Sequence, residues 1–171
     1  MLTSILTMVV MMSGQELKGP SDAKLVDLGD GYVRVETASY TLEVPKEWKV
    51  TPETRWGQRK ISPADGGELG AMTAPPSQQS WDQLYDTALY FILRDGDGGK
   101  PTKYEIVKTK RGYEAASFSI IDREGFAKER YMMVKHPEKG LLALSVAIPN
   151  KDDEKQWAAH FKRMVDSAEF K

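Results

Sequence analysis

Acid–base or metal chemistry in this chain would fall first to His136 and His160, its two imidazoles. Neither has a histidine partner at metal-ligand spacing. His136 precedes Pro137 in a turn-like stretch, and His160 borders the apolar stripe of a helical pattern. Both read as surface or boundary residues. No G-x-S-x-G nucleophile elbow is present, and no G-x-x-x-x-G-K-[ST] or G-x-G-x-x-G phosphate cradle opens a helix. A Ser-His-Asp triad assembled in space leaves no trace in sequence, so a small hydrolase stays as an alternative. The run Asp95-Gly96-Asp97-Gly98-Gly99 resembles the start of a calcium loop. Such a loop wants a ligand at Gly99, glycine at Lys100 and glutamate at Ile106, and all three are missing. The run reads as a helix C-cap and solvated turn. The residues thus offer no catalytic group, no metal site and no cofactor motif.

Recognition is the remaining chemistry. Trp and Arg are enriched at binding hot spots, which singles out Trp56-Gly57-Gln58-Arg59. The plainer reading lays Trp56 over a sheet edge with Arg59 on the solvent face. Arg123, Lys128 and Arg130 charge one hairpin, and Lys108, Lys110 and Arg111 form a basic turn. Glu105, Glu114, Glu124 and Glu129 interleave with them, as on a solvated strand face with cross-strand ion pairs. Trp56, Arg59, Arg123 and Arg130 are therefore the partner-binding candidates, set against a purely structural reading of each.

The bulk numbers narrow the partners. With 24 basic and 25 acidic residues the net charge is -1, which argues against nucleic acid as a partner. The chain has no cysteine, which removes disulfides, thiolate metal sites, thiol nucleophiles and an acylated lipoprotein anchor. At 171 residues, 40% apolar and 29% charged, it suits one globular domain that needs no metal or disulfide staple.

The elements that would position these residues begin after a leader. Residues 2–12 form an uncharged apolar run, and polar sequence starts at Ser13. The run fits the apolar core of a signal peptide and is short of the roughly 20 residues a spanning helix needs. Its flank lacks Lys or Arg, and Met12 is large for a cleavage site after Gly14; a buried first element is the alternative. The reading is a signal peptide over 1–14, a linker over 15–23, and one domain over 24–171. It places the mature protein in the periplasm or the secreted fraction, with no transmembrane helix once the leader is removed.

Strand-like runs cover Leu25 to Leu28, Tyr32 to Glu36, Tyr40 to Val44, Gly57 to Ser62 and Leu69 to Thr73. Ser80 and Gln83 form a capping box that opens a helix with Trp81, Leu84, Tyr85, Ala88 and Ile92 on one face. Four more strands follow, over Tyr104 to Thr109, Tyr113 to Ile121, Phe126 to Lys135 and Leu141 to Ile148. The glycine-bearing links between them favour antiparallel hairpins. A second helix starts near Asn150, an N-cap residue type, with Trp157, Phe161, Met164 and Val165 as its buried stripe and a short strand after it at Ala168 to Phe170. This order predicts an α+β fold, an antiparallel sheet with helices packed on it.

The segment Tyr40-Thr41-Leu42-Glu43-Val44-Pro45-Lys46-Glu47-Trp48, a strand ending in Pro with Trp three residues on, resembles the start of PsbP-like and DcrB-like domains. Those share a fold with the Ran-binding proteins of yeast nuclear transport. Arg111-Gly112-Tyr113-Glu114-Ala115, the run Leu141 to Ile148, and Met164 to Phe170 extend the resemblance over residues 38–171. It implies an α/β/α sandwich and a binding or assembly module without catalysis, found in some relatives in the bacterial envelope and in others at photosystem II. Tyr40, Pro45, Trp48, Gly112 and Ser167 match as architectural positions, and no functional residue is carried over. The partner expected is an unidentified protein or small ligand. A carrier with an aliphatic cavity of several hundred Å3 between sheet and helix is a further alternative.

Overall fold

The computed structural model describes residues 23–54, 58–63, 66–95 and 99–171. The leader, Trp56 and the 96–98 stretch of the glycine-rich run lie outside the described residues.

A three-strand meander comes first: β1 (Lys24–Asp27), β2 (Tyr32–Glu36) and β3 (Tyr40–Pro45). Glycines at positive φ, Gly29 and Gly31, turn β1 into β2. At Pro45, which has no N–H to donate, the chain leaves this sheet. The Trp48 amide bonds back to the Pro45 carbonyl at 3.2 Å. The Trp48 side chain, 8% exposed, drops into the core.

Next come β4 (Lys49–Val50), β5 (Gln58–Ser62) and β6 (Glu68–Ala74) of a second, larger sheet. Helix α1 (Trp81–Asp95) crosses one face of that sheet to its far edge, where β7 (Lys100–Pro101) and β8 (Glu105–Lys108) pair with β9 (Glu114–Ile121). Then β10 (Ala127–His136) and β11 (Gly140–Ala147) return to β6. A 3-10 turn (Lys151–Asp153) leads into α2 (Glu154–Ser167), which crosses the opposite face. The last strand, β12 (Glu169–Phe170), pairs with β3.

The orders are β1-β2-β3-β12 and β4-β5-β6-β11-β10-β9-β7, with β8 also on β9, and every pairing is antiparallel. The α+β expectation holds, with one change: the strands split into two sheets rather than one. One core lies between the small sheet, α2 and one face of the large sheet, centred on Tyr40, Leu42, Leu144 and Met164. The other lies beneath α1, with Leu84, Phe91, Phe118 and Tyr131. Central strand β11 is covered on both faces, Leu142, Leu144 and Val146 entering the first core and Leu141 the second. That accounts for its unbroken apolar run.

The capping box forms as read. The Gln83 amide donates to Ser80 Oγ at 3.2 Å, and the Ser80 amide to Gln83 Oε1 at 2.9 Å. Asn150 departs from expectation. It precedes the 3-10 turn, and its Nδ2 donates to Asp153 Oδ2 at 3.1 Å, so the α-helix begins at Glu154.

Candidate functional site

Helix α2 presents Ala159, Lys162, Arg163, Asp166 and Ser167 along one face, at the three- and four-residue spacing that aligns side chains on a helix. Beside them stands Glu43 of β3. Across from them is the β8–β9 turn. The Gly112 amide bonds the Thr109 carbonyl at 2.8 Å, and Gly112 takes φ 84°. This is a type I turn closed by a left-handed glycine, which holds Lys110 and Arg111 at its tip. Buried Thr109 braces the turn, its Oγ1 accepting the Tyr113 amide at 3.1 Å. The three elements enclose an open groove of about 640 Å3 lined by Glu43, Lys110, Arg111, Ala159, Lys162, Arg163, Asp166 and Ser167.

Its floor is fixed. Arg163 donates to Glu43 Oε2 from Nε at 3.0 Å and from Nη2 at 2.9 Å, and to Asp30 Oδ2 from Nη2 at 2.8 Å. Its guanidinium lies 3.7 Å from the centre of the Tyr32 ring, a cation–π contact. The hydrogen bond from Arg163, aided by its charge, holds the Asp30 carboxyl below its ordinary range. Ser167 Oγ accepts the Glu43 amide at 2.8 Å and faces the Arg163 carbonyl at 2.8 Å. These bonds fasten the last two turns of α2 to β3.

The rim is held more loosely. Arg111 pairs with Glu169 at 3.1 Å, with both side chains over 40% exposed, and Lys162 pairs with Asp166 along the helix at 2.5 Å. Lys110 has no ion pair among the described residues. Exposed pairs of this kind contribute about 0–1 kcal/mol, so they yield readily to a competing carboxylate.

The histidines sit elsewhere, both half-buried at the boundary between core and surface. His160 Nδ1 is 2.8 Å from the Tyr32 hydroxyl, and its ring meets Trp48 edge-on at 5.0 Å. Burial lowers its pKa below 6.5, with Glu47 opposing the shift. Burial also raises the Tyr32 hydroxyl, the opposite of an activated nucleophile. His136 Nδ1 accepts the Glu138 and Lys139 amides at 3.2 and 3.1 Å and so caps the β10–β11 turn. Among the described residues no group of three or more His, Cys, Asp or Glu is arranged to hold a metal ion.

The sign of the His160 effect follows. As pH falls through about 6.5 the unfolded chain takes the proton before the folded one does. Stability present above that pH is lost toward the lower folded pKa and then levels off. A His160→Phe variant, which keeps a packed ring, is expected to show a smaller drop in unfolding free energy between pH 7.5 and pH 5 than the wild type. An unchanged drop in urea titrations would assign the pH dependence to other groups.

The sequence-based binding candidates do not come together. Arg59 is not on the solvent face. Its side chain is 1% exposed, pairs with Glu53 at 3.7 Å and donates to the Thr51 carbonyl. It lies beside the fully buried Tyr40 hydroxyl, which burial pushes up to about 12. Arg130 reaches Glu154 in the first turn of α2 and ties strand to helix. Arg123 is exposed on the β9–β10 turn, and Trp56 lies outside the described residues. The groove was legible in part as two dibasic pairs, Lys110-Arg111 and Lys162-Arg163, in a chain of near-zero net charge. Nothing in the sequence shows that the second pair faces the first.

Two antiparallel sheets with a helix on each face of the larger one, a strand–Pro–x–x–Trp entry and a last strand returning to the first sheet define a PsbP-like fold. The solution structure of cyanobacterial PsbP (CyanoP) from Synechocystis sp. PCC 6803 is similar to this chain with a TM-score of 0.52 and 12% identity, over 94% of this chain and 99% of that one. The crystal structure of LpqN, involved in cell envelope biogenesis of Mycobacterium tuberculosis, gives 0.49 and 15%, over 87% and 90%. No family model and no curated protein matches the sequence. The likeness to CyanoP is one of fold. Among the described residues no helix is long and apolar enough to cross a membrane.

Proposed function

We propose that this protein is an exported, non-catalytic binding module that works in the periplasm or the secreted fraction and uses the groove over α2 as its contact surface. One observation carries the reading: a groove whose floor is locked by Arg163, Glu43, Asp30 and Ser167 while its rim cations stay accessible. A preorganised floor with exchangeable rim contacts suits recognition. Apart from Ala159 the lining is polar or charged, which gives the apolar-carrier alternative no support from this cavity. Export rests on the uncharged run at residues 2–12.

Fractionation of the source cells with N-terminal sequencing tests the reading. The expected result is a mature chain beginning just after Gly14, found outside the cytoplasm. A chain intact from Met1 in the soluble cytoplasm would contradict export.

A further inference from the structure

We infer that the groove takes an extended acidic segment of a protein partner, its carboxylates replacing Glu169 and Asp166 as the counter-ions of Arg111 and Lys162. The inference rests on the binding-module reading and names the partner's chemistry. Four cations line the groove against two carboxylates, and both carboxylates already accept from neighbours, Glu43 from Arg163 and Asp166 from Lys162. Lys110 is left without an ion pair among the described residues.

The cations are spread over two walls, Lys110 and Arg111 on the turn and Lys162 and Arg163 on the helix. Set on two separate elements, they offer an extended ligand more contacts than a compact anion such as phosphate would make. Glu43 and Asp166 inside the groove would also repel a dense polyanion. Carboxylates spaced along a chain can meet each wall in turn and pass between the two acids. Arg111 offers a fork suited to a carboxylate, whereas the Arg163 fork is already taken by Glu43 and Asp30. The overall charge of -1 confines this attraction to the groove and its surroundings rather than to the whole surface.

Fluorescence anisotropy on the full mature chain tests this with a labelled octapeptide of alternating Glu and Gly. The wild type is expected to bind it, more weakly as salt rises. Lys110→Glu with Arg111→Glu should weaken binding at least tenfold, and Arg123→Glu should leave it unchanged. Should the double reversal fail to fold, Lys162→Gln is read instead, with a loss of about threefold or more expected. Circular dichroism checks each variant.

Three results overturn the inference: no binding of the peptide by folded wild type, equal binding by the reversed variant, or displacement by inorganic pyrophosphate at concentrations where the peptide itself competes. The last would make the groove a compact-anion site. Any of these, found with a chain shown to be exported, removes the acidic partner and leaves the module reading standing. A cytoplasmic chain intact from Met1 removes the export reading whatever the peptide does.

Discussion

Trp157→Ala should cost about 3–5 kcal/mol of stability, in the range for truncating a buried aromatic to alanine. The indole is 6% exposed and lies 4.7 Å, centre to centre, from the ring of Trp48. It also fills the space above Gly67 so closely that a Cβ there would fall 2.1 Å from it. Gly67, at φ 72°, has no side chain to fill the space that the ring leaves. The cavity would stay open, which places the expected cost toward the upper part of the range. The loss would be felt at the groove as well. Trp48 packs on His160 as well as on Trp157, so α2 would be loosened near the residues that line it. Urea unfolding followed by far-ultraviolet circular dichroism measures this. A loss under about 1 kcal/mol would mean that the two tryptophans do not anchor α2.

Gly140→Ala is expected to cost about 2–4 kcal/mol, from backbone strain and overpacking together. Gly140 opens β11 at φ 109°, and a Cβ on it would sit 2.2 Å from the Ala74 carbonyl oxygen and 3.1 Å from the Pro75 carbonyl carbon. Both neighbours are backbone in β6 or just after it, paired to β11 at Leu141↔Ala74. Neither can swing aside as a long side chain would. The comparison substitution is Gly125→Ala, also at positive φ, 84°, but with nothing within 4 Å of its added Cβ. It carries the conformational cost without the clash. The gap between the two variants in the same urea experiment isolates the close approach of β11 to β6; equal losses would mean that this contact relaxes freely.

Local chemistry was legible where a residue's role depends on its sequence neighbours. Ser80 and Gln83 are three apart and cap the same helix end. The apolar stripe Trp157, Phe161, Met164 and Val165 is the buried face of α2. The Pro45-to-Trp48 corner, which carried the family resemblance, is the point where the chain passes from one sheet to the other. What depends on partners far along the chain was not legible. Glu43 and Arg163 are brought together across 120 positions, and nothing local marks either. Arg59 looks solvent-facing from its charge, yet Glu53 and the Thr51 carbonyl let it stay buried. The two-residue strands Lys49–Val50 and Lys100–Pro101 escaped notice because they are too short to show a period. The groove needs the β8–β9 turn to stand beside α2, where Arg111 reaches Glu169 of the strand that follows the helix.

The central claim is that this face of α2, rather than the Arg123 hairpin, is where a partner sits. A photo-reactive benzophenone side chain placed at Ala159, on the groove wall, tests it in the living source cells. The account predicts an adduct between the mature chain and an extracytoplasmic protein that disappears when Lys110→Glu and Arg111→Glu are added and is absent when the same probe replaces Arg123. No adduct from Ala159, or one that survives the charge reversal, would contradict it.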